Sequence, residues 1–413
     1  MFPGRRYNRE SQKTCLYTVS LTNVKLSGDK VMVLKHCLSG LVLIVLLSSC
    51  HTGTQQNTVS SLFEDQEPDS LYIPAYAKGF SIAYYGDLKL IHVEDPWNSD
   101  AEGKYILVGA EECPAKYKSA EIDYVRYPVR NWSAFSSTQI EFAAKIGVLE
   151  TLGSVAEPRY ISNSFVQERV REGKIRNVGM AASADVEVLL DSSPQFIFVS
   201  PFKDNRYGPL IDAGLLVIND AGYLEVSPLG RAEWLIFFSA FFNKEDEALA
   251  IFNNIKKRYR AVKEIVKETI ERPSVMTGSL FNDVWYMPAG DSFMATLFED
   301  AGADYSYSKR SGTGSLALDF ETVFNDFHSS DFWVLTVNHS GRFTLSDLAR
   351  MDERYTGFEA FKQENVLVTN TNYSGFYEKG IIEPDVILKD LAFYFHPDYF
   401  PGYEPAYFHL LKE

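Results

Sequence analysis

The sequence predicts an α/β protein of two Rossmann-like lobes that are joined by one long helix, with a ligand cleft between the lobes. Two series of short apolar strands alternate with helical stretches, one from about residue 127 and the other from residue 274. Such alternation is typical of βαβ units on a mostly parallel sheet. Between the two series, a single apolar stripe over residues 244–271 predicts the connecting helix.

The first 49 residues are expected to be a targeting segment that is removed, so they are left out of the predicted fold. Leu41–Leu47 is an unbroken aliphatic run. It is too short to cross a bilayer but has the length of the apolar core of a secretory signal. Residues 1–31 lengthen this signal beyond the usual size, so Met32 could be the true start.

Cys50 follows the aliphatic run directly after two serines. This arrangement resembles the bacterial lipobox, which implies that Cys50 carries a lipid and begins the mature chain. The alternative is that the run is a buried core segment. Residues 50–70 are polar and predict a flexible tether. Residues 51–57 contain no acidic residue, which favours the periplasmic side, with the anchor in the inner membrane.

Residues 71–243 are predicted to form the first lobe, which begins with extra strands. From Tyr72 to Ala110, apolar and polar residues alternate around turn sequences, as in strands joined by turns. The βα series follows, with a helix capped by Thr138 and a longer helix over residues 228–242. Its strands are predicted at 127–132, 196–199 and 215–218.

Residues 244–271 are predicted to form the helix between the lobes. Seven apolar residues recur at steps of three or four, which places them on one face of a helix. They are Ala248, Phe252, Ile255, Tyr259, Val262, Val266 and Ile270. At 1.5 Å per residue, this helix would be about 40 Å long. Pro273 is expected to stop it.

Residues 272–413 are predicted to form the second lobe. Its strands are predicted at 274–279, 332–336 and 366–369, and its helices at 292–300, 320–327 and 383–395. In open α/β sheets, ligands bind beyond the carboxyl ends of the strands, so the loops there are expected to line the cleft. These loops are 133–137, 179–183 and 200–202 in the first lobe, and 278–286, 311–314, 336–338 and 370–373 in the second.

Charge and composition exclude several functions. Residues 1–49 carry seven Lys or Arg and two acidic residues, and removing their net +5 from the formal charge of −15 leaves −20. A surface this acidic repels phosphate backbones, so nucleic-acid binding is not expected. Of the four cysteines, only Cys113 lies beyond Cys50, and the histidines are scattered, so no metal-cluster spacing is present. No resident cofactor and no enzymatic activity are expected.

One stretch resembles a known family. It runs through Asn177–Met180, Ala184–Leu190 and Ser193–Val199. It is similar to the glycine loop, short helix and Pro-led strand of the iron-siderophore, haem and cobalamin substrate-binding proteins of ABC importers, whose lobes are joined by a rigid helix. The resemblance covers about residues 125–395. Gln195 departs from the family, which usually has Asp after the Pro, and the segment 71–124 is an addition.

The resemblance implies a partner for two acidic residues. Glu187, in the short helix, and Glu321, in Ser315–Val323, match the glutamates that dock onto arginines of the membrane permease. The alternative is that each is an ordinary solvated acid on a helix. The family function is capture of a ferric siderophore, haem or corrinoid as cargo. A monomer is expected to deliver this cargo to an ABC permease and its ATPase. A chelatase-like enzyme and a binding-only sensor without a permease are the rival functions.

Five residues are candidates for contact with the ligand. Arg231 lies at a loop-to-helix junction, where it could hold an anion by bidentate hydrogen bonds. Alternatively, it could pair with a nearby acid, Glu225 or Glu233, as a structural bridge. Trp285 and Tyr286 could stack on a planar ligand or pack under their loop. Phe202 and Tyr373 lie in the loops expected at the cleft.

Overall fold

The computed structural model describes residues 62–63, 66–98, 101, 103–118, 122–203 and 207–413. The expected signal segment, the lipidation site Cys50 and most of the tether lie outside the described residues. None of the helices in the described ranges is long and apolar enough to cross a membrane.

The extra residues before the first lobe form a sheet of their own. Its strand order is β1-β2-β3-β4-β5, with β1 to β4 antiparallel and β5 parallel to β4. The elements are β1 (Ser70–Tyr72), β2 (Phe80–Tyr85), β3 (Leu88–Val93), β4 (Lys104–Gly109), helix α1 (Ala115–Lys118) and β5 (Asp123–Arg126). The strands predicted between residues 72 and 110 are therefore present.

Two buried carboxylates anchor this N-terminal region to the first lobe. Glu233 is 1% exposed and accepts backbone N–H groups of residues 75–77 at 2.8–2.9 Å. Glu225 accepts the N–H groups of residues 78 and 79 and the indole N–H of Trp234. Buried carboxylates persist only when hydrogen bonds replace the water they lose, and here the chain about 150 residues upstream supplies them.

The first lobe is built on a five-stranded parallel sheet of order β10-β9-β6-β7-β8. Its strands are β6 (Trp132–Ala134), β7 (Leu152–Val155), β8 (Arg176–Asn177), β9 (Ile197–Val199) and β10 (Val217–Asn219). Its helices are α2 (Ser137–Lys145), α3 (Ser164–Arg171), α4 (Val186–Ser192), α5 (Gly208–Asp212) and α6 (Pro228–Ala240).

Two local predictions in this lobe are wrong. The strand expected at Tyr127–Trp132 is replaced by a connection from β5 to β6, because Pro128 has no N–H to give a sheet ladder. Helix α2 is capped by Ser136 and not by Thr138. Ser136 forms a capping box with Gln139. The Ser136 side chain accepts a backbone N–H of the first helical turn, and the Gln139 side chain accepts the backbone N–H of Ser136.

The connecting helix α7 (Glu245–Lys267) carries the predicted apolar stripe. Six of the seven stripe residues are buried, and the helix packs on α6 and on the last helix of the chain. The seventh, Ile270, is 98% exposed, because the helix ends at Lys267 instead of Glu271. At 1.5 Å per residue, α7 is about 35 Å long and not 40 Å.

The second lobe contains a four-stranded sheet of order β11-β15-β16-β17, in which only β17 is antiparallel. Three strands that come between β11 and β15 in the sequence form a small antiparallel sheet of order β12-β13-β14. The strands are β11 (Val275–Thr277), β12 (Leu280–Phe281), β13 (Val284–Pro288), β14 (Ser315–Leu318), β15 (Phe332–Val337), β16 (Val366–Asn370) and β17 (His409–Leu410).

Three helices of the second lobe fall close to their predicted places: α8 (Phe293–Asp300), α9 (Phe320–Phe327) and α14 (Pro384–Phe395). Four further helices of this lobe were not predicted: α10 (Leu345–Met351), α11 (Glu359–Lys362), α12 (Thr371–Ser374) and α13 (Phe376–Lys379). Short 3-10 turns lie at Leu149–Thr151, Pro158–Tyr160, Ala181–Ser183, Gly222–Leu224, Glu353–Gly357 and Pro397–Tyr399. The region 278–286, predicted as a cleft loop, is instead largely the β12–β13 hairpin.

Candidate ligand-binding cleft

Two cavities lie where residues of the first lobe face residues of the second. The Arg231 chamber, of about 390 Å3, includes Thr138, Tyr223 and Arg231 from the first lobe and Tyr286, Ser292 and Phe293 from the second. The Arg159 chamber, of about 500 Å3, includes Arg159, Tyr160 and Ser162 from the first lobe and Asn338, Asn372 and Glu378 from the second. Thr336 and Tyr377 line both chambers, so together they form one cleft.

The cleft lies where the strand-end rule places it. Ser137 and Thr138 begin helix α2 just after strand β6, and Thr336 lies near the carboxyl end of β15. Parallel strands end at the same edge of a sheet, so their following loops converge on one surface. The capping box of α2 fixes the backbone that carries Ser137 and Thr138 into the cleft.

Twelve of the thirteen residues of α6 are buried, and Arg231 is the exception. Its Nε donates to the backbone oxygen of Glu225 at 2.8 Å. Its guanidinium carbon lies 4.1 Å from the ring centre of Phe293, which belongs to the second lobe. Arg231 therefore reaches across the cleft and makes a cation–π contact there.

The carboxylates near Arg231 are already occupied. Glu225 and Glu233 accept the amides of residues 75–79, and no ion pair of Arg231 occurs within the described ranges. Arg231 thus makes no direct ion pair with either acid, although its Nε–H donates to the Glu225 backbone oxygen and the charge of Glu225 favours the charged guanidinium. Burial lowers the pKa of Arg231 to about 10, so the guanidinium still carries its charge at neutral pH. A half-buried cation whose terminal N–H groups have no hydrogen-bond partner among the described residues can bind an anion.

Aromatic rings and hydroxyl groups complete the Arg231 chamber. Tyr286 is 48% exposed on strand β13, and Tyr377 on helix α13 is also exposed. The hydroxyl-bearing residues in its lining include Thr138, Ser292 and Ser315. Apolar faces with a few polar handles and one cation are typical of a site for a small amphipathic ligand.

Trp285 does not contact the cleft, so the predicted stacking role is wrong for this residue. It is fully buried, and its indole N–H donates to the backbone oxygen of Thr277 at 2.9 Å. Its ring stacks on Trp333 at 5.8 Å between centres. Because Trp285 and Tyr286 are neighbours on a strand, they point to opposite faces, and only Tyr286 reaches the cleft.

Phe202 and Tyr373 also lie apart from the two chambers. Phe202 lines a cavity of about 600 Å3, between the N-terminal sheet and the first lobe, together with Trp97. Tyr373 lines a fourth cavity, of about 540 Å3, in the second lobe. Its hydroxyl accepts the N–H of Gly341 at 2.8 Å. Of the five residues predicted to contact ligand, the structure therefore brings only Arg231 and Tyr286 together.

The sequence analysis missed the Arg159 chamber. Arg159, Tyr160 and Ser162 follow strand β7, which was not predicted, so the loop after it was not selected. On the opposite side, Tyr377 and Glu378 belong to α13, just beyond the selected loop 370–373. A strand prediction at Leu152–Val155 would have found the first group by the same strand-end rule.

Glu187 and Glu321 occupy equivalent positions on two helices. Each lies two residues after a capping aspartate, Asp185 in α4 and Asp319 in α9, whose side chain accepts a backbone N–H. Both glutamates are exposed, Glu321 to 80%. An acid in the first turn also stabilises its own helix, so the geometry is compatible with docking and with an ordinary helix acid.

No group of three or more His, Cys, Asp or Glu side chains in the described part of the chain could hold a metal ion. The cleft itself combines a cation, tyrosines and hydroxyl groups between two α/β lobes. These features are typical of a two-lobed solute-binding protein.

The chain belongs to the periplasmic binding protein family, whose model matches residues 134–373. Its relatives include two uncharacterized lipoproteins of Methanocaldococcus jannaschii. One is 27% identical over 375 residues, covering 85% of this chain and 88% of the relative. The other is 24% identical, covering 86% and 91%. These relatives and the family indicate an extracytoplasmic, membrane-anchored protein.

Solved structures show the same fold. A periplasmic haem-binding protein from Pseudomonas aeruginosa has a TM-score of 0.53 at 13% identity, covering 67% of this chain and 96% of that chain. The ABC-type Fe3+-hydroxamate transport protein from Saccharomonospora viridis has a TM-score of 0.51 at 17% identity, covering 65% and 94%. The predicted two-lobed α/β fold is thereby confirmed, and the family and these neighbours are substrate-binding transport proteins.

Proposed function

We propose that this protein is a lipid-anchored solute-binding protein of an ABC importer for a metal chelate. It captures a ferric siderophore, haem or cobalamin between its lobes and delivers it to a permease in the inner membrane. The bound chelate is cargo, and the protein carries no cofactor of its own. The observation that carries the proposal is the guanidinium of Arg231, which is charged, makes no direct ion pair with a described carboxylate and is turned towards an aromatic cleft.

The lining of the Arg231 chamber suits an anionic chelate with apolar faces. Arg231 is its only charged lining residue within the described ranges, so no carboxylate there opposes a negative ligand. Tyr286 and Tyr377 offer ring faces and hydroxyl donors, and Tyr223 offers a ring face while its hydroxyl donates to the backbone oxygen of Pro201. A guanidinium binds carboxylates in two parallel hydrogen bonds, and such charge-assisted bonds are about twice as strong as neutral ones.

Glu187 and Glu321 are proposed to dock onto basic residues of the permease, which in turn is driven by its ATPase. One exposed acid on each lobe fixes the orientation of a bound partner and speeds the encounter by electrostatic attraction. Their matched place, two residues after a capping aspartate on α4 and on α9, supports a shared role. The protein is proposed to act as a monomer held to the membrane by the lipid on Cys50.

Native mass spectrometry of the protein purified from its own host tests the proposal. We expect a bound mass that matches a ferric siderophore, haem or a corrinoid. Titration of the ligand-free protein with haemin, cyanocobalamin and a set of ferric siderophores should then show one-to-one binding to one class. A protein that carries none of these and binds none of them would contradict the metal-chelate proposal.

A further inference from the structure

A loop of the first lobe is bound by a carboxylate of the second lobe. Glu378, on helix α13, is 8% exposed. One of its oxygens accepts the backbone N–H of Ser162 at 2.8 Å and the hydroxyl of Ser162 at 3.1 Å. Ser162 lies between strand β7 and helix α3 of the first lobe. Both residues line the Arg159 chamber, so these hydrogen bonds cross the cleft.

The loop that Glu378 holds presents two exposed groups to this chamber. Arg159 and Tyr160 lie on the loop, with the guanidinium carbon 4.5 Å from the ring centre. The Arg159 side chain is 68% exposed, and its ion pair with Glu157 is long, at 3.8 Å. From the first lobe, the Gln167 amide donates to the backbone oxygens of residues 158 and 161. The loop is therefore fixed from both lobes.

A second contact between the lobes joins α2 to the start of α14. Lys145, at the end of α2, pairs with Glu383 of the second lobe at 2.9 Å, and the Tyr407 hydroxyl donates to the same glutamate. Helix α2 packs on α13, the helix that carries Glu378. This ion pair stabilises the lobe contact but does not touch the loop at Ser162, which makes Lys145 a matched control.

We infer that Glu378 is a positioning residue that clamps the loop 158–162 to the second lobe, fixes the Arg159 chamber and slows release of ligand. The part of the inference that concerns ligand rests on the proposed function. A carboxylate that accepts two hydrogen bonds from one serine holds that residue more tightly than a neutral acceptor does. Without Glu378, the only side-chain hydrogen bonds left to the loop among the described residues are those from Gln167 of the first lobe, and Arg159 and Tyr160 lose their fixed place opposite Tyr377.

Hydrogen exchange of the ligand-free protein tests the clamp without knowledge of the ligand. In Glu378→Ala, backbone amides of residues 160–163 should exchange about tenfold faster than in the wild type. Glu378→Gln keeps an acceptor oxygen and should restore most of the protection. Ser162→Ala keeps the backbone hydrogen bond but loses that of the hydroxyl, so its exchange rate should lie between those of the wild type and Glu378→Ala. Lys145→Met should leave this loop unchanged.

Two outcomes of the exchange experiment would overturn the clamp. The first is unchanged exchange at residues 160–163 in Glu378→Ala. The second is faster exchange spread over the whole second lobe, with a lower melting temperature, because Glu378 would then serve only the stability of the fold. Far-ultraviolet circular dichroism and thermal unfolding of each variant distinguish these cases.

Stopped-flow measurement of ligand release tests the second half of the inference, with haemin, cyanocobalamin and the same set of ferric siderophores as probes. For the probe that the wild type binds, Glu378→Ala should release it about tenfold faster, and Glu378→Gln should restore slow release. Unchanged release despite a mobile loop would overturn the positioning role. If the wild type binds no probe, the proposed function fails. The exchange data still show whether Glu378 holds the loop 158–162.

Discussion

Replacement of Trp285 by alanine should destabilise the protein rather than act on a ligand directly. Its side chain is fully buried, and its ring contacts Phe320, Trp333, Tyr355 and Phe358 at 5.6–6.3 Å between centres. Truncation of a buried Trp typically costs about 3–5 kcal/mol of unfolding free energy. Truncation also deprives the Thr277 backbone oxygen of its indole donor, which adds about 1–3 kcal/mol.

Urea unfolding followed by circular dichroism measures this loss. Trp285→Ala should lower the unfolding free energy by about 4 kcal/mol or more. Trp285→Phe keeps an aromatic ring in the core but loses the hydrogen bond to Thr277. Its unfolding free energy should therefore fall by only about 1–3 kcal/mol. The neighbouring exposed Tyr286→Ala is the control and should be nearly neutral for stability. A Trp285→Ala variant of wild-type stability with weakened ligand binding would refute this reasoning.

Three further predictions follow from other parts of the chain. Cys50→Ser should release the protein from the membrane fraction, because stable anchoring requires acyl chains; unchanged association would contradict the lipid anchor. Glu187→Lys with Glu321→Lys should abolish uptake while ligand affinity by calorimetry stays within a few-fold, and a large loss of affinity would contradict the docking role. Burial raises the pKa of Asp220 to about 6, although a hydrogen bond from Gly222 opposes it. Because the pKa of Asp220 is higher in the folded than in the unfolded protein, its contribution to stability should fall by about 3 kcal/mol as pH rises from below 4 to above 6. Asp220→Asn should flatten this dependence in urea titrations, and an equally steep dependence in the variant would exclude Asp220 as its cause.

The elements that the sequence predicted well carry strong local patterns. Helix α9 has its predicted bounds, and six stripe residues of α7 are buried as expected. Ile270 fits the same spacing but finds no partner to bury it, since the helix has already ended. Periodicity reports which face would be buried, but tertiary packing decides how far the helix continues.

The parts that local patterns missed depend on distant contacts. The amides of residues 75–79 find their acceptors in Glu225 and Glu233, about 150 residues away. Trp285 and Tyr286 looked alike as loop aromatics, and only the pairing of β13 with β14 assigns them to opposite faces. Such pairing is set by long-range register, which a single sequence does not reveal.

The affinity of an Arg231→Ala variant for the cargo found in the host tests the central claim most directly. Arg350→Ala is the control, because Arg350 is an exposed arginine on α10, 74% exposed and paired with Asp347. The account predicts that Arg231→Ala weakens binding by about thirtyfold, or about 2 kcal/mol, while Arg350→Ala and the fold remain unchanged. Equal affinity of the wild type and both variants in calorimetry would contradict an anion site at Arg231 and the cleft built around it.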